Sequence, residues 1–438
     1  MSFERPGDPL VEGKRELLYY IGQGRRGTTY LFSVDGYFFE APMNLPVLPS
    51  CMDCHVSGIR PPIEGTENRY AMPLFLNAGV TCERCHGPGE KHAHGGAIVN
   101  PVKLSPDRRD QVCMQCHLEG NAAIERPGKH LYQYRPGDDL SDYVRYYVLT
   151  DNRRPGLRAA SQFEELAQSM CKKKFGDAMS CTSCHDPHRA ISADERVAFY
   201  RSRCLACHGA QFGARHHANQ PDCTQCHMPA ASSSDIAHTA VTDHRIPRKP
   251  SFGNQLENAN SPSLPQLVPF PDTKKTTDHN VRDLALAWQS IVNSGMTMAQ
   301  PEAEQLLKEA VAQYPDDPSV LAALAYVEQK QAAKDKARDL YRKALARDPT
   351  LIDAKTNLGV LEARSGQLKE AVSLWQDAFR RAPGRSEIGI NLARAFCSTR
   401  QFNDARNYLM RVLQFNPDLG QAKTMLKQLN ADPPTCGK

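Results

Sequence analysis

The sequence predicts a mainly α-helical chain in which a small β-hairpin and a loop-rich, cysteine-rich segment precede an α-solenoid. Three observations predict this order. Residues 17–39 contain two short apolar and aromatic runs around an Asp-Gly turn signal. Residues 51–250 contain a five-residue cysteine motif six times, among frequent glycine and proline. Residues 281–430 are rich in alanine and leucine and repeat with a fixed period.

The first 50 residues contain no cysteine and are predicted to form a β-rich segment that packs on the cysteine-rich part. The runs at 17–21 and 30–39 are rich in Leu, Tyr and Phe, and Asp35-Gly36 supplies the turn between strands. The predicted local structure is a small hairpin that leads into the first cysteine motif.

Residues 51–250 are predicted to form one domain of short helices and loops, with a longer helix at roughly 158–174. The stretch 246–277 is rich in Pro, Ser, Asn and Thr, which predicts a linker over 251–280.

Residues 281–430 carry a repeat of 34 residues. Small residues recur at one position of each copy, a bulky residue follows one turn later, and a proline follows the second helix. The positions in register include Ala303, Ala337, Ala371 and Ala405; Leu307, Tyr341, Trp375 and Leu409; and Pro315, Pro349, Pro383 and Pro417. This is the tetratricopeptide pattern, and residues 419–430 are predicted to form its capping helix. A generic helical bundle would not keep several independent positions in one register.

The motif C-x-x-C-H occurs six times in the cysteine-rich part. Two sulfurs at this spacing add to the vinyl groups of one heme, and the following histidine binds its iron. The cysteines predicted to hold heme are Cys51, Cys54, Cys82, Cys85, Cys113, Cys116, Cys181, Cys184, Cys204, Cys207, Cys223 and Cys226. The predicted proximal ligands are His55, His86, His117, His185, His208 and His227. Zinc also binds C-x-x-C pairs but does not need histidine after every pair, so six heme c groups are the better interpretation.

Nine of the 15 histidines lie outside the motifs, which is enough for a second axial histidine on each of six irons. Three of the 15 cysteines also remain: Cys171, Cys397 and Cys436. A Cys397–Cys436 disulfide is one way in which two of these thiols are used.

Charge and hydropathy exclude some function classes. The formal charge of +5 would be cancelled by the propionates of six ferric hemes, and there is no basic run with interleaved aromatics, so nucleic acid is not a predicted partner. There is no 18-residue apolar run, which argues against a transmembrane segment. Heme attachment of this kind takes place outside the cytoplasm, so a periplasmic or extracellular location is predicted, although residues 1–6 do not resemble an export signal.

Two local patterns resemble nitrification-type multiheme cytochromes, a group that includes the tetraheme cytochromes serving hydroxylamine oxidoreductase. Residues 82–92 resemble their C-x-x-C-H-G-P-G-x-x-H motif, and residues 181–188 resemble their C-x-x-C-H-x-P-H motif. In both motifs the last histidine binds a neighbouring heme. The resemblance therefore implies His92 and His188 as distal ligands.

Over more of its length the chain resembles exported bacterial multiheme cytochromes with C-terminal tetratricopeptide repeats. The segment 238–247 matches them, which implies His238 and His244 as distal ligands. The pair His216-His217 precedes the sixth motif and is implied to supply a fifth, with His217 preferred.

The chain departs from that group at two points. Members often have a further upstream C-x-x-C-H, and they often carry histidine where this chain has Gln162. The sixth distal ligand therefore stays open between His94, His130, Met170, an open iron site and a histidine of another chain. His94 and His130 are the leading candidates.

Three functions follow from this ligation. The first is electron transport along six hemes, with the repeats docking redox partner proteins or a second copy. The second is an oxidoreductase that acts on a small nitrogen compound at one open heme. The third is a subunit of a conducting heme filament, joined by histidines between subunits. An electron carrier without a substrate site is the preferred prediction, because all six motifs are ordinary.

Overall fold

A computed structural model describes residues 2–5, 8–21, 28–41, 45–150, 157–215, 220–236, 240–248, 264–271 and 280–436. The chain forms two compact units. The first unit contains Met1–Ala78, Asn280–Gln289 and Gln300–Lys438, and the second contains Gly79–His279 and Ser290–Ala299. The motif at 51–55 thus lies in the unit that contains the repeats. The domain limits of 1–50, 51–250, 251–280 and 281–430 stay a prediction.

The strands form five small sheets. Their bounds are β1 Ser2–Arg5, β2 Asp8–Lys14, β3 Leu17–Ile21, β4 Thr29–Val34, β5 Tyr37–Ala41, β6 Leu45–Pro46, β7 Gly58–Ile59, β8 Phe75–Asn77, β9 Ala122–Glu125, β10 Val144–Leu149, β11 Ala230–Ser232, β12 Ala240–Thr242 and β13 Leu267–Phe270.

The described part of the chain has nine helices before residue 230, most of them short, and nine helices after residue 280. Their bounds are α1 Pro49–Met52, α2 Cys82–His86, α3 Glu90–Ala93, α4 Pro106–His117, α5 Gln162–Gln168, α6 Met170–Phe175, α7 Arg196–His208, α8 Ala210–Arg215, α9 Cys223–His227, α10 Val281–Asn293, α11 Gln300–Gln313, α12 Pro318–Lys330, α13 Lys334–Arg347, α14 Ile352–Arg364, α15 Leu368–Arg381, α16 Ser386–Ser398, α17 Phe402–Phe415 and α18 Gly420–Leu429. Among the described residues, none of these helices has the length and apolar character needed to cross a membrane.

The predicted N-terminal hairpin is present and is part of a four-stranded antiparallel sheet, β3-β4-β5-β6. Asp35 and Gly36 have φ of 53° and 83°, as a tight turn between β4 and β5 requires. One face of the sheet is aromatic, with Phe32 and Phe39 buried.

This aromatic face packs on the last repeat helices of its own unit. The Phe415 ring of α17 lies 6.0 Å from the Tyr37 ring and 5.7 Å from the Phe39 ring. Burial of three aromatic rings accounts for this packing, because each ring removes a large apolar area from water. On the opposite face of the sheet the Phe38 ring lies 5.9 Å from the Tyr70 ring. Packing of residues 1–50 on the cysteine-rich part stays a prediction.

Polar contacts extend the same interface. The Tyr37 hydroxyl donates to the Arg380 carbonyl at 2.6 Å, and Arg381 donates to the Gly65 carbonyl at 2.8 Å. Arg385 forms an ion pair with Glu67 at 2.6 Å. Residues 28–78, which include the first motif, are therefore held on α15–α17 by rings, backbone carbonyls and charges together.

The cysteine-rich part has short helices and loops, as predicted, but two expectations differ from the structure. The helix predicted at 158–174 is two helices, α5 and α6, because Ser169 is extended and its side chain accepts from the Lys172 amide to begin α6. The predicted linker contributes a strand, since β13 pairs with β10 in an antiparallel three-stranded sheet.

Three helix pairs, α12–α13, α14–α15 and α16–α17, follow α10 and α11 in the described repeats, and α18 is the predicted capping helix. The alanines at the 34-residue register are fully buried between helices, at 0% exposure: Ala303, Ala337, Ala371 and Ala405. The bulky register residues Trp375 and Leu409 fill the core beside them. The prediction of stacked tetratricopeptide pairs is confirmed.

Glycine occupies a position of close helix approach in the pair α16–α17. A Cβ at Gly389 would overlap Val412 Cγ2 and would lie 2.9 Å from the Phe379 ring. We expect Gly389→Ala to lower the free energy of unfolding of the repeats by about 2 kcal/mol through overpacking. Urea unfolding followed by far-UV circular dichroism measures this change.

The matched control is Gly420→Ala at the start of α18, where an added Cβ meets no atom within 4 Å among the described residues. This variant is expected to unfold at the urea concentration of the parent protein or slightly above it. Equal destabilisation by both substitutions would contradict the packing argument.

The two leftover cysteines of the repeats form a disulfide, Cys397–Cys436, with Cα atoms 5.9 Å apart. This separation is ordinary for a disulfide. The bridge fastens the segment after α18 to α16, and it uses two of the three cysteines outside the motifs.

Candidate heme sites

Helical turns arrange the motif side chains. Residues three and four apart lie on one face of a helix, so the two sulfurs and the imidazole of a C-x-x-C-H helix point to the same side. Four motifs lie within helices or at helix ends: those in α2, α4, α7 and α9. The fourth motif begins with a 3-10 turn, Cys181–Ser183. The side chain of Cys51 in α1 lies outside the described residues.

Thiols of successive motifs interact with one another through the second unit. The Cys113 thiol donates to the Cys181 thiol, and this bond, with burial, holds the pKa of Cys113 well above its ordinary value. Cys204 likewise interacts with Cys223, although burial is the larger cause of the raised pKa of Cys204, about 11.

Two weaker electrostatic contacts complete the order of the motifs. The Cys85 thiol, whose pKa is raised mainly by burial, lies in electrostatic range of Cys116. Burial also raises the pKa of the Cys184 thiol, which lies in electrostatic range of Cys207 and of Cys171, a cysteine outside the motifs. Motifs two to six are thus neighbours in the order in which they occur along the chain.

Two pairs of imidazoles face each other. The rings of His86 and His188 have centroids 5.9 Å apart with planes at 11°, and those of His185 and His244 are 6.2 Å apart with planes at 30°. Two imidazoles that bind one iron at about 2 Å each have ring centroids about 6 Å apart. Each pair joins a predicted proximal histidine to a histidine that the resemblance implied as distal.

Carbonyl and carboxylate groups hold the outer nitrogens of several histidines. The Nδ1–H of His86 donates to the Val99 carbonyl at 2.8 Å, and that of His244 to the Thr242 carbonyl at 2.8 Å. His227 donates to the Pro247 carbonyl at 2.9 Å. A carbonyl partner at Nδ1 fixes the tautomer in which Nε2 can bind a metal, which is the arrangement of metal-binding histidines.

Burial favours the neutral imidazole at the second pair. The pKa of His185 is lowered by burial first and then by His244 and His117 nearby. The pKa of His244 is lowered by burial, against a hydrogen bond to Thr242 that raises it. Iron binds the neutral ring, so these residues fit the heme that the cysteines imply.

Two supporting side chains were not foreseen from the sequence. Gln162 accepts from the His117 Nδ1 at 2.9 Å, so it supports a predicted proximal ligand from the outer side. The buried Glu165 carboxylate accepts the backbone amide of His244 at 2.9 Å and thereby positions that ring. These contacts join residues that are distant in the chain, and no local sequence pattern marks them.

The remaining predicted ligands have different surroundings. His92 donates to the Gly96 carbonyl at 3.2 Å, and His55 is exposed within the first unit. His208 packs on Phe212 with ring centroids 5.1 Å apart. The predicted ligands His216, His217 and His238 lie outside the described residues.

His130 and His94 are the leading candidates for the sixth distal ligand. They differ in whether a hydrogen bond fixes the outer nitrogen of the ring. His130 Nδ1 donates to the Glu125 carboxylate at 2.8 Å, whereas the exposed His94 ring has no such bond within the described ranges. We expect His130→Ala to produce a high-spin ferric signal and His94→Ala to leave the spectrum unchanged, because a metal-binding histidine needs a fixed outer nitrogen. Electron paramagnetic resonance of the two purified variants measures this, and a reversed pattern would assign the ligand to His94.

Two family models match the chain. The tetratricopeptide repeat model matches residues 362–429, and the model described as cytochrome c554 and c-prime matches residues 40–87, which include the first two motifs.

Two curated proteins are similar to part of the chain. Multiheme cytochrome MtrA of Shewanella baltica is 24% identical over an alignment of 210 residues that covers 42% of this chain and 59% of that protein. Dissimilatory sulfite reductase MccA of Wolinella succinogenes is 24% identical over an alignment of 195 residues that covers 36% of this chain and 23% of that protein. The chain thus spans less than two thirds of the length of either relative.

Solved structures match about a third of the chain. MamA from Desulfovibrio magneticus RS-1 matches with a TM-score of 0.32 and 17% identity, over 35% of this chain and 86% of that chain. PilF of Pseudomonas aeruginosa matches with a TM-score of 0.31 and 23% identity, over 34% of this chain and 67% of that chain.

Proposed function

Since the chain is a multiheme c-type cytochrome with C-terminal tetratricopeptide repeats, we propose that it transfers electrons along six c-type hemes and docks a protein partner through its repeat unit. Each bound iron would cycle between the ferric and ferrous states. The chain's own residues attach the hemes, order them and close their axial positions.

The observation that carries this proposal is the order of the motif thiols. Cys113 is hydrogen-bonded to Cys181 and Cys204 to Cys223, whereas Cys85 and Cys184 lie in electrostatic range of Cys116 and Cys207. Motifs two to six are therefore neighbours in chain order. Covalent attachment at these cysteines would place successive macrocycles side by side. Electrons move between hemes only over short distances, so this order favours a continuous path.

The paired imidazoles support electron transfer over substrate chemistry. His86 with His188, or His185 with His244, would hold a heme from both sides and would leave its iron no free position. Such a site exchanges electrons without binding a small molecule. The oxidoreductase alternative needs one iron without a second ligand.

Spectroscopy of the purified holoprotein tests the proposal. We expect six hemes per chain in a pyridine hemochrome assay and only low-spin ferric signals in electron paramagnetic resonance. A high-spin signal that changes on addition of nitrite, hydroxylamine or sulfite would favour the enzyme instead. A measured content of fewer than six hemes per chain would mean that some motifs do not hold a heme and take no part in electron transfer.

Location and assembly form part of the proposal. The Cys397–Cys436 disulfide and the c-type motifs both fit an oxidising compartment, so we propose a periplasmic or extracellular site. Light scattering at high protein concentration distinguishes a monomer that docks a different protein from self-association or a heme filament.

A further inference from the structure

A groove of about 730 Å³ lies in the first unit, between the Asp35-Gly36 turn and the second helices of two repeats, α15 and α17. Its main lining residues are Tyr37, Arg69, Phe379, Arg380, Tyr408 and Arg411. We propose that this groove binds an acidic peptide segment of a protein partner. The inference rests on the proposed function in that an electron carrier needs a partner, and it specifies where and by what chemistry the partner is held.

The positive charge of the groove exceeds its negative charge. Three arginines line it against a single aspartate, Asp35, and that carboxylate pairs with Arg411. Arg69 is exposed and pairs with no carboxylate in the part of the chain that the structure describes. Its guanidinium lies 5.7 Å from the centroid of the Tyr37 ring, which holds it at the groove.

Arg380 is the second available cation. Its side chain is 75% exposed, and its acidic neighbour Asp377 is shared with Lys355 and Arg381. One carboxylate among three cations leaves an excess of positive charge beside the groove. An added carboxylate from a partner would therefore meet Arg69 and Arg380 without first breaking a strong one-to-one ion pair.

The floor of the groove is aromatic and well supported. Tyr37 is 5% exposed, and its hydroxyl is fixed on the Arg380 carbonyl. Tyr408 stacks on Phe396 with ring centroids 5.5 Å apart and planes at 7°. A cationic rim over a rigid aromatic floor suits a peptide that carries both carboxylates and an apolar side chain.

The groove needs more than the repeats. Its helical residues come from the second helices of two consecutive pairs, and its other wall is formed by the turn before β5 and by Arg69. The backbones of Tyr37 and Arg69 form a bridge that joins this wall. The site therefore exists only where the N-terminal sheet is packed on α15 and α17.

Calorimetric titration of the full-length holoprotein tests the proposal. The probe is a synthetic hexapeptide of four glutamates and two phenylalanines, and the control probe carries glutamine in place of glutamate. We expect the acidic probe to bind and the glutamine probe not to bind. The double variant Arg69→Glu, Arg380→Glu should bind the acidic probe at least about tenfold more weakly, because each arginine loses a charge-assisted contact and gains a repulsive one.

Two further variants separate charge from folding. Arg364→Glu reverses an exposed arginine at the end of α14, outside the groove, and should bind like the parent. Arg69→Lys, Arg380→Lys keeps the charge and should retain most of the affinity. Equal binding by the parent and the Arg69→Glu, Arg380→Glu variant, or no binding by the parent at millimolar probe, would overturn the proposal.

The outcome is independent of the heme measurements. If the protein has six low-spin hemes but does not bind the acidic probe, the peptide-binding proposal is wrong and the electron-transfer proposal stands. If the protein binds the probe but has a high-spin heme that responds to substrate, the electron-transfer proposal is wrong and the peptide-binding proposal stands.

Discussion

Replacing His244 by alanine is expected to convert one of the six proposed ferric hemes from low spin to high spin. The His185 and His244 rings lie 6.2 Å apart, and His244 is fixed by Thr242 at Nδ1 and by Glu165 at its backbone amide. Alanine removes one axial ligand and leaves the cysteines intact. Electron paramagnetic resonance should show a high-spin signal from about one sixth of the heme, with unchanged heme content by pyridine hemochrome.

His188→Ala should have the same effect on a different heme, because the His86 and His188 rings are 5.9 Å apart. The double variant should then double the high-spin fraction, since the two pairs are separate sites. His94→Ala serves as the control and should stay low spin. A His244→Ala protein without a high-spin signal would show that another group binds opposite His185.

Loss of the Cys397–Cys436 disulfide is expected to lower the free energy of unfolding of the repeats by about 4 kcal/mol. The bridge joins residues 39 positions apart, and a closed loop of this length restricts the unfolded chain by about that amount in the chain-entropy description. Cys436→Ser is the better variant, because Cys436 is exposed whereas Cys397 is buried. Guanidinium unfolding followed by circular dichroism of the helical signal measures the change.

Cys171→Ser is the matched control, since this thiol lies in the second unit and belongs to neither a motif nor the disulfide. It should leave the unfolding of the repeats unchanged. A reducing agent added to the parent protein should reproduce the loss seen in Cys436→Ser. If reduction and substitution both leave the midpoint unchanged, the bridge does not stabilise the repeats.

The repeat unit was predictable because its determinants are periodic and local. Each pair of helices uses the same small residue at the same position, so a spacing of 34 in the sequence becomes a stack of contacts in space. Ala337 and Ala371 illustrate this, as both are fully buried at equivalent sites. The capping helix followed from the same register.

The heme-binding part was only partly predictable. The proximal side follows from the motif, because the sulfurs and the imidazole share one helical turn. The distal side depends on where loops bring remote histidines, and His188 and His244 were inferred by resemblance alone. Buried polar residues such as Glu165 position these rings and can be recognised only from three-dimensional contacts. The break at Ser169 was missed because the helix propensity of these residues favoured one continuous helix. Capping by the Ser169 side chain instead favours two separate helices.

The packing of the N-terminal sheet was the least predictable feature. Its strands could be predicted from the alternation of side chains and from the Asp35-Gly36 turn. The sequence of an aromatic face, however, does not indicate which other part of the chain packs on it. Phe415 lies far along the chain and, in the sequence, resembles any other apolar residue of a repeat helix. Only the three-dimensional structure connects the two.

That packing has a consequence for the timing of biogenesis. Tyr37 bonds to Arg380, 343 positions later in the chain, and Glu67 pairs with Arg385, 318 positions later. Synthesis proceeds from the amino terminus, so the first C-x-x-C-H motif emerges long before the helices that hold its segment exist. The segment that carries this motif is therefore not held by its partner helices until the last repeats have been made.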